Sequence, residues 1–378
     1  MKWPPRKEVT MNIKINKITL HSFKNFHELT YKVSSGRLYG RSGEGKTNLL
    51  TAIAACFVNS GLEGHKLVPL PDDAKTGWVK IEYEVDGESQ EAYRTWTRSE
   101  SGTGFTSASS ITKKIEKSLF LAIANPMYVF ELENSERIDF IIDTVYAGYK
   151  GNIIDELIGD VPVEITDFSK HVGDLTLSKL RNILKTTRLD IKSNKKKHET
   201  LDCQLLILEE IENSFELVND ISAQIIALES EIQKQEEVVR VIEMINALLL
   251  KNAIETINPK LCLARFTEEG RITFSDIPAE RLSSGEKLEC GLDIANAIAG
   301  RCELVPPTII DNATSMGHSD IDMTPFSNIK QIITSAYANV ELCEYHDGML
   351  YGLDKSWKNK ASATFRPEVS IEMIPYNS

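Results

Sequence analysis

Residues 40–47 have the types and the spacing needed to hold a phosphate chain. They read G-x-x-x-x-G-K-T, which is the P-loop pattern. Glycines let successive backbone N–H groups converge on phosphate oxygens, because there is no Cβ to block the approach. Lys46 can reach the β- and γ-phosphates, and the Thr47 hydroxyl can bind Mg²⁺. The pattern therefore predicts a site for ATP with Mg²⁺.

The elements that must position this loop are a strand before it and a helix after it. Residues 31–39 are predicted as the strand, and residues 48–53 as the start of the helix. The helix N-terminus would add unsatisfied N–H donors and a favourable dipole. The alternative is a glycine-rich turn that fits the pattern by chance, but the flanking elements favour a P-loop.

Composition limits the classes of protein. The 378-residue chain is 42% hydrophobic and 26% charged, as is typical of globular proteins. It has no run of about 18 apolar residues, so no transmembrane helix and no membrane partner are predicted. The six cysteines are scattered without a C-x-x-C pair, which favours a reducing cytoplasm. A net charge of −12 argues against broad nucleic-acid binding but allows a local basic track.

Composition along the chain predicts an α/β protein interrupted by long helices. We expect a disordered leader at residues 1–11, with Met11 as a second candidate start. The N-terminal lobe, with the P-loop, spans residues 12–172. An antiparallel helical hairpin spans residues 173–257, and the C-terminal lobe spans residues 258–378.

The hairpin prediction rests on heptads. No proline or glycine lies between Leu175 and Ala253, and apolar residues follow two a/d seams that break near residues 213–215. Two helices of about 30–35 residues, roughly 45–50 Å long at about 1.5 Å per residue, would fold back on each other. With the tip near residue 214, Asn194 would face Gln235 in one polar layer that sets the register. The alternative is two core helices of one domain. The first seam comprises Leu177, Leu180, Leu184, Ile191, Leu201, Leu205 and Leu208, and the second Ile221, Ile225, Leu228, Ile232, Val239, Ile242 and Leu249.

Alternation and turn residues predict the remaining elements. In chain order these are a strand over residues 29–38 leading into the P-loop, a hairpin of residues 78–85 and 93–97 around Asp86 and Gly87, a mobile loop at 99–110, a helix over 135–146, a buried strand at 304–311 and another at 329–335.

Two further stretches carry a family resemblance. Residues 282–287 read L-S-S-G-E-K before an apolar helix, and residues 304–311 are an apolar strand ending in Asp311. They resemble the ABC signature, in its SMC-like form, and the Walker B motif. Residues 18–26 resemble the opening of SMC, RecF, RecN and SbcC heads. Residues 125–128 and 135–137 resemble compact SbcC-type ATPases of bacteriophages. The resemblance covers almost the whole chain, and it is specific because three ordered motifs occur with an inserted coiled coil.

This resemblance implies an ABC-type P-loop ATPase head with an inserted antiparallel coiled coil. Each ATP would lie between the P-loop of one copy and the signature of a second, so that ATP joins a homodimer and hydrolysis releases it. Lys46, Asp311 and Asn312 would be catalytic, and Thr47 and Asp311 would hold Mg²⁺. The implied nucleotide-binding residues are Asn25, Gly40, Arg41, Ser42, Gly43, Glu44, Gly45, Lys46, Thr47, Asn48, Ser283, Ser284, Gly285 and Glu286. Ser283 and Glu286 also fit a helix-capping box, and both interpretations can hold together.

The chain departs from the family pattern at several positions. Asn312 stands where a glutamate usually follows the Walker B aspartate. An amide can hold a water but cannot take its proton, so slow hydrolysis is expected, unless a carboxylate from elsewhere acts instead. Ser284 replaces a signature glycine, and residues 331–335 lack the usual following histidine. No Q-loop glutamine is evident, and Asn125 is the candidate substitute. The hairpin tip has no C-x-x-C, so no zinc hook is expected.

Partners are predicted from charge and from the resemblance. Seven basic residues cluster on the first arm of the hairpin, which predicts a duplex-DNA track. The alternative is a solvated helix face paired with glutamates of the second arm. The seven are Arg181, Lys185, Arg188, Lys192, Lys195, Lys196 and Lys197.

A nuclease site within this chain is not expected. His318, Asp320 and Asp322 fit a loop that meets the partner head better than a metal site. The resemblance implies a separate nuclease subunit of the metallophosphoesterase type. The favoured function is an ATPase controlling DNA access or processing in recombination, repair or replication. The alternatives are an ATP-gated DNA clamp with little hydrolysis and the ATPase of an antiphage defence complex.

Overall fold

The protein divides into an α/β unit and a helical unit. A computed structural model describes residues 11–33, 36–100, 104–111, 115–146, 149, 151–157, 161–209, 215–311, 326–337, 342–346 and 349–352. The helical unit is Ile141–Thr256, and the α/β unit combines the described residues of Lys2–Phe140 and Ile257–Ser378. Within the described part of the chain, no helix has the length and apolarity to cross a bilayer.

Strands come in groups before and after the long helices of the middle of the chain. The strands are β1 (Met11–Phe23), β2 (Phe26–Lys32), β3 (Arg37–Gly40), β4 (Thr76–Val85), β5 (Glu88–Arg98), β6 (Phe105–Ser109), β7 (Ala264–Phe266), β8 (Ile272–Phe274), β9 (Ile277–Pro278), β10 (Leu304–Val305), β11 (Thr308–Ile310), β12 (Ile332–Tyr337), β13 (Cys343–His346) and β14 (Met349–Gly352). The helices are α1 (Lys46–Val58), α2 (Lys117–Ala124), α3 (Tyr128–Glu131), α4 (Asn134–Tyr146), α5 (Val163–Val172), α6 (Leu177–Glu209), α7 (Phe215–Ile257) and α8 (Ser284–Ala299).

Two larger sheets build the α/β unit. The first has the order β10-β1-β4-β5-β6, with β2 also paired to β1. The second has the order β11-β12-β3-β13-β14, and its β11, β12 and β3 run parallel. A small β7-β8-β9 sheet completes the unit. Helix α1 packs on β4 and β5 through an almost wholly buried face, so the loop before it is tied to the core.

The residues around the P-loop strand form two strands in different sheets, which corrects the prediction of one strand over residues 29–38. β2 pairs with β1, whereas β3 pairs with β12 and β13. Gly36 lies between them with φ +73°, where an added Cβ would come within 2.6 Å of the Ile332 carbonyl oxygen. The chain can therefore leave one sheet and enter the other there only with glycine.

The predicted strand over residues 304–311 is also divided. Leu304 and Val305 form β10 beside β1, and residues 308–310 form β11 beside β12. Pro306 and Pro307 lie between them. Because proline has no N–H to give to a strand ladder, the pair ends one strand and lets the next begin in the other sheet.

The hairpin of β4 and β5 has the predicted turn, since Asp86 and Gly87 both have positive φ, as a two-residue hairpin loop requires. Part of the predicted mobile loop at residues 99–110 is instead strand β6, paired with β5. Its Ser/Thr-rich composition signalled a loop, but an edge strand needs only one partner.

In the helical unit, α6 and α7 run antiparallel. Arg188 pairs with Glu243 at 2.9 Å, Lys195 with Glu236 at 2.8 Å, and His198 with Glu229 at 3.2 Å. The partner numbers fall as the first numbers rise, which is the register of an antiparallel pair. The helical unit includes residues before α6, since Asp143 pairs with Arg181 at 2.8 Å and the Leu175 N–H donates to Asn152 Oδ1 at 3.2 Å.

The seam between these helices follows the predicted heptads. Its residues are buried or half-buried wherever their side chains are described. Asn194 Nδ2 donates to Gln235 Oε1 at 3.2 Å, which is the amide pair that the heptad register predicted. A polar pair in an apolar seam favours one register, because any slip would leave both amides without a partner.

We expect the helix pair to lose stability as pH rises above about 6.5. His198 Nε2 lies 3.2 Å from Glu229, and its Nδ1 lies 2.8 Å from Asp202. These carboxylates raise the pKa of His198, with the Glu229 hydrogen bond as the largest cause. A raised folded pKa contributes stability that is complete below the unfolded pKa of about 6.5 and is lost as pH rises through the folded value. Thermal unfolding followed by circular dichroism at 222 nm measures this loss.

The His198→Gln variant should remove that pH dependence. His171→Gln is the control, because the His171 ring contacts a backbone oxygen, the Asp167 carbonyl at 2.7 Å, where His198 contacts carboxylates. Equal loss of stability in wild type and His198→Gln across the window would contradict the prediction.

Candidate functional site: the P-loop cleft

The P-loop joins the carboxyl end of β3 to the N-terminus of α1, as predicted. Gly43 and Gly45 have φ of +83° and +87°, a region that L-residues with a side chain rarely adopt. Gly45 is the N-cap of α1 and has no side chain to cap it. The first N–H groups of a helix have no intrahelical partner, so this end suits an anion.

The turn between β1 and β2 supports the loop from behind. An added Cβ on Gly45 would lie 2.6 Å from Phe26 Cζ and 2.7 Å from Asn25 Nδ2. Asn48 Nδ2 donates to Asn25 Oδ1 at 2.7 Å, which ties the first turn of α1 to the same turn. Asn25 therefore lies beside the P-loop, and these contacts support the loop.

The far end of α1 is also held. Arg94 of β5 donates from Nε to the Cys56 carbonyl oxygen at 2.7 Å and from Nη2 to that of Phe57 at 3.4 Å. Cationic donors satisfy the last carbonyls of a helix and favour its negative end. The helix that presents Lys46 and Thr47 is thus fixed at both ends.

The Lys46 ammonium lies within the loop. Nζ donates to the carbonyl oxygens of Gly40 at 2.7 Å and Arg41 at 2.9 Å. The Glu44 N–H also donates to the Arg41 carbonyl, at 3.3 Å. The loop backbone is therefore drawn around the lysine, which places a positive charge at the cleft floor.

Asp311 lies between two hydroxyl groups at the opposite wall. Thr47 Oγ1 donates to Asp311 Oδ2 at 2.5 Å, and Ser335 Oγ donates to Asp311 Oδ1. A hydroxyl and a carboxylate are hard oxygen ligands of the kind that Mg²⁺ prefers, directly or through water. Thr47 and Asp311, which the sequence assigned to Mg²⁺, are thus in direct contact and fit the ion.

The cleft between these walls has a volume of about 450 Å³, within the usual range for a ligand site. It is lined by Ser42, Gly43, Gly45, Lys46, Thr47, Asn48, Asp311, Ser335 and Tyr337. Tyr337 is 56% exposed at the end of β12 and pairs in register with Gly40. Gly40 and Arg41 contribute to the site through their carbonyl oxygens, which accept from Lys46, and Glu44 contributes through its backbone N–H.

The predicted signature caps helix α8. Ser283 Oγ accepts from the Glu286 N–H at 3.3 Å, and Glu286 Oε2 accepts from the Ser283 N–H at 2.8 Å. The Ser283 backbone N–H, and next the Ser283 hydroxyl, which donates to Glu286 Oε2 at 2.8 Å, lower the pKa of Glu286. The capping box predicted for these residues is therefore present. Ser283 and Ser284 are exposed, and a Cβ added to Gly285 would meet nothing within 4 Å.

Helix α8 is anchored behind this exposed end. The Asp293 carboxylate is buried and accepts from the N–H groups of Cys262 at 3.1 Å, Leu263 at 2.7 Å and Ala264 at 3.0 Å. Gly291 passes so close to Pro126 that a Cβ would lie 2.1 Å from its carbonyl oxygen. The signature end of α8 is therefore presented on a rigid support.

Within one copy, the structure does not bring the signature into the cleft. None of Ser283, Ser284, Gly285 and Glu286 is among the described residues that line it. The nucleotide-binding set predicted from sequence thus falls on two separate surfaces of the α/β unit. One is the P-loop cleft, and the other is the N-terminus of α8.

Other predicted residues have different outcomes. The side-chain amide of Asn125, the candidate Q-loop substitute, is engaged with backbone, donating to Leu62 at 3.0 Å and accepting from Met127 at 3.1 Å. It therefore ends helix α2. Asn312, His318, Asp320 and Asp322 lie outside the described residues. Among the residues that are described, no group of three or more His, Cys, Asp or Glu could hold a metal.

Sequence reasoning missed Ser335 and Tyr337. A buried strand over residues 329–335 was predicted, and the missing histidine after it was noted, but neither residue was assigned a role. The available signal was a polar residue at the carboxyl end of a buried parallel strand, where sites in α/β sheets form.

The chain has low similarity to solved structures. No protein-family model and no curated protein matches its sequence. The SMC head domain of Pyrococcus furiosus, solved with an extended coiled coil and bound to the ScpA C-terminal domain, is 16% identical; 87% of this chain and 91% of that one are covered, with a TM-score of 0.39. The recombination mediator RecF with ATP is 12% identical; 93% of this chain and 100% of that one are covered, with a TM-score of 0.44. The SMC head domain of Thermotoga maritima is 14% identical, at 86% and 89% coverage and a TM-score of 0.30. Likeness at this level carries no argument about function.

Gly45→Ala should abolish nucleotide binding as well as destabilise the fold. The added Cβ would collide with Phe26 and Asn25 at a backbone angle of φ +87°. We expect loss of the fluorescence change on titration with a fluorescent ATP analogue, and a lower midpoint in urea unfolding.

Gly87→Ala is the matched control, because Gly87 has φ +85° and open space around its Cβ position. It should lose only the backbone term of about 1–2 kcal/mol and keep full nucleotide affinity. Normal binding by Gly45→Ala would show that the loop does not need this close packing.

Proposed function

We propose that this protein is an ABC-type ATPase that binds ATP with Mg²⁺ in the P-loop cleft. The observation that carries the proposal is the contact of Thr47 with Asp311 at 2.5 Å, beside a glycine-rich loop at a helix N-terminus. The amides of α1 and Lys46 would bind the phosphates. Bound Mg²⁺ would neutralise charge on the phosphate oxygens, while Thr47 and Asp311 would hold it.

We further propose that the site is completed by a second copy of the chain. The support is the separation of the P-loop cleft from an exposed helix N-terminus at Ser283 and Ser284. That N-terminus is a ready site for a γ-phosphate presented by another copy, because its N–H groups and dipole favour an anion. ATP would then join two copies, and hydrolysis would separate them.

Turnover is proposed to be slow. Asn312 follows Asp311 in the sequence and cannot act as a general base. The same residue favours the second candidate function, an ATP-gated clamp that dimerises with little hydrolysis. Measuring turnover and ATP-dependent dimerisation together separates the two, because a clamp would dimerise persistently without releasing phosphate.

Duplex DNA is the proposed substrate of the assembly, with a role in recombination, repair or replication. The support is the order of the motifs around the α6–α7 pair and the basic residues of α6. Three of the seven have carboxylate partners, since Arg181, Arg188 and Lys195 form ion pairs at 2.8–2.9 Å. Lys185, Lys192 and Lys196 are exposed without an ion pair in the described part of the chain, and their spacing places them on one helix face.

A separate nuclease subunit of the metallophosphoesterase type, and kinship with compact phage SbcC proteins, are proposed from the motif resemblance alone. Copurification from the native host would test the first.

Mixing two inactive variants tests the composite site. Lys46→Ala removes the P-loop lysine and leaves the signature intact. Gly285→Glu should fold, because nothing lies within 4 Å of its Cβ position, but its charge would repel a triphosphate. We expect neither variant alone to hydrolyse ATP, and their mixture to recover activity and ATP-dependent dimers by light scattering. The mixed dimer has one complete site, formed by the P-loop of one copy and the signature of the other.

A self-contained site predicts the opposite pattern. Gly285→Glu alone would then keep wild-type turnover, and mixing would add nothing. Gly87→Glu is the control for a new carboxylate at an open glycine position.

Changing Lys185, Lys192 and Lys196 to Gln should weaken duplex-DNA binding and reduce its salt dependence. Each lost phosphate contact lowers the slope of log K against log salt by about 0.9, so up to about 2.7 per copy. Fluorescence anisotropy at several salt concentrations measures both. Gln at Lys75, Lys234 and Lys251 makes the same charge change on other exposed lysines. Equal effects of the two triple variants would contradict a specific DNA track and would show that only the total charge of the protein matters.

A further inference from the structure

The buried Ser335 hydroxyl holds the Asp311 carboxylate, which is the proposed Mg²⁺ ligand. The Ser335 side chain is 0% exposed, and its Oγ donates to Asp311 Oδ1, while Thr47 Oγ1 donates to the other oxygen, Oδ2, at 2.5 Å. One carboxylate thus links α1, β11 and β12. The sequence placed Ser335 at the end of a predicted strand and assigned it no role.

We propose that Ser335 is a positioning residue for Mg²⁺, which sets the orientation of the Asp311 carboxylate and, through it, of the Thr47 hydroxyl. The inference rests on the proposed ATP–Mg²⁺ site and adds a residue to it.

The chemistry of the donors supports this role. An ionised carboxylate only accepts hydrogen bonds, so both hydroxyls donate their single hydrogen to Asp311. The Thr47 oxygen then keeps its lone pairs for a cation. Without Ser335, the carboxylate could rotate about its terminal torsion, which is broad and has no strong preferred angle. The Thr47 hydroxyl would lose its fixed acceptor.

Strand β12 is rigid enough to serve as the support. Next to its N-terminal end, Gln331 pairs with β1: its Oε1 accepts from Ile15 N–H at 2.7 Å, and its Nε2 donates to the Ile15 carbonyl oxygen at 3.0 Å. Ile15 is also where the register between β1 and β4 shifts, between Ile15 and Lys17. Parallel pairing with β11 and β3 holds both sides of β12.

A strand alternates its side chains, so Ser335 and Tyr337 face the same side, while Thr334 faces the other. Ser335 is buried under Asp311, and Tyr337 lines the open cleft. A residue that supports a metal ligand lies behind it and does not touch the ion. Removing such an outer partner typically lowers metal affinity about 10- to 100-fold.

The test separates metal binding from nucleotide binding. ATP affinity is measured by titration with a fluorescent ATP analogue in EDTA, and Mn²⁺ affinity of the ATP complex by electron paramagnetic resonance. For Ser335→Ala we expect ATP affinity in EDTA at the wild-type value and Mn²⁺ affinity lower by about 10- to 100-fold. Ser335→Thr keeps a hydroxyl and should return Mn²⁺ affinity towards wild type.

Ser60→Ala is the matched control. Ser60 is 1% exposed, and its hydroxyl has no hydrogen-bond partner among the described residues. It should bind Mn²⁺ as wild type does. If Ser335→Ala does not fold, Ser335→Cys keeps the shape with a much weaker donor and should lower Mn²⁺ affinity in the same direction.

The outcomes are distinct. Wild-type Mn²⁺ affinity in a Ser335→Ala or Ser335→Cys protein that still binds ATP in EDTA would overturn the inference and leave the proposed function standing. A wild-type protein that binds no ATP with or without the metal would overturn the proposed function itself.

Discussion

The rest of the site depends on the two hydrogen bonds that the Asp311 carboxylate accepts. The carboxylate joins residues that are 264 positions away, at Thr47, and 24 positions away, at Ser335. A hydroxyl on each side gives the carboxylate two charge-assisted hydrogen bonds, which are stronger than bonds between neutral groups. The N-terminus of α1 and the carboxyl ends of β11 and β12 therefore meet at one point, and that point faces the P-loop.

Both large sheets of the α/β unit contribute to holding the cleft. The first reaches it through the β1–β2 turn, where Asn25 and Phe26 lie against Gly45. The first sheet also supports the cleft through Ile15, whose backbone N–H and carbonyl oxygen bond to the Gln331 side chain just before β12. The second sheet supplies β3, β11 and β12 themselves. A further polar link runs between the sheets, since Tyr31 of β2 and the Gly36 N–H both donate to the buried Glu344 carboxylate. Burial and that carboxylate raise the pKa of Tyr31, so the phenol stays a donor.

The division of the predicted nucleotide-binding set has a simple physical meaning. A P-loop provides N–H groups, a lysine and a metal site, but the cleft is open on one side. The N-terminus of α8 provides a second set of N–H groups on a surface that nothing in the described cleft reaches. Both are built rigidly, α1 by Arg94 and Asn25, and α8 by Asp293. Two rigid half-sites, each with N–H donors, suit the proposed arrangement in which both contact one triphosphate.

Sequence by itself determined the features that depend on local spacing. The P-loop, the Ser283–Glu286 capping box, the Asp86–Gly87 turn and the Asn194–Gln235 pair each follow from residue types a few positions apart or from a helical repeat. It also identified Thr47 and Asp311 as partners, because both belong to motifs. Only the tertiary structure decided that Gly36 and the Pro306–Pro307 pair divide apparent single strands between two sheets. It alone placed Ser335 and Tyr337 at the cleft, and Gln331 against β1. Those placements depend on strand order, and strand order is set by pairing between segments far apart in the chain, which local patterns do not encode.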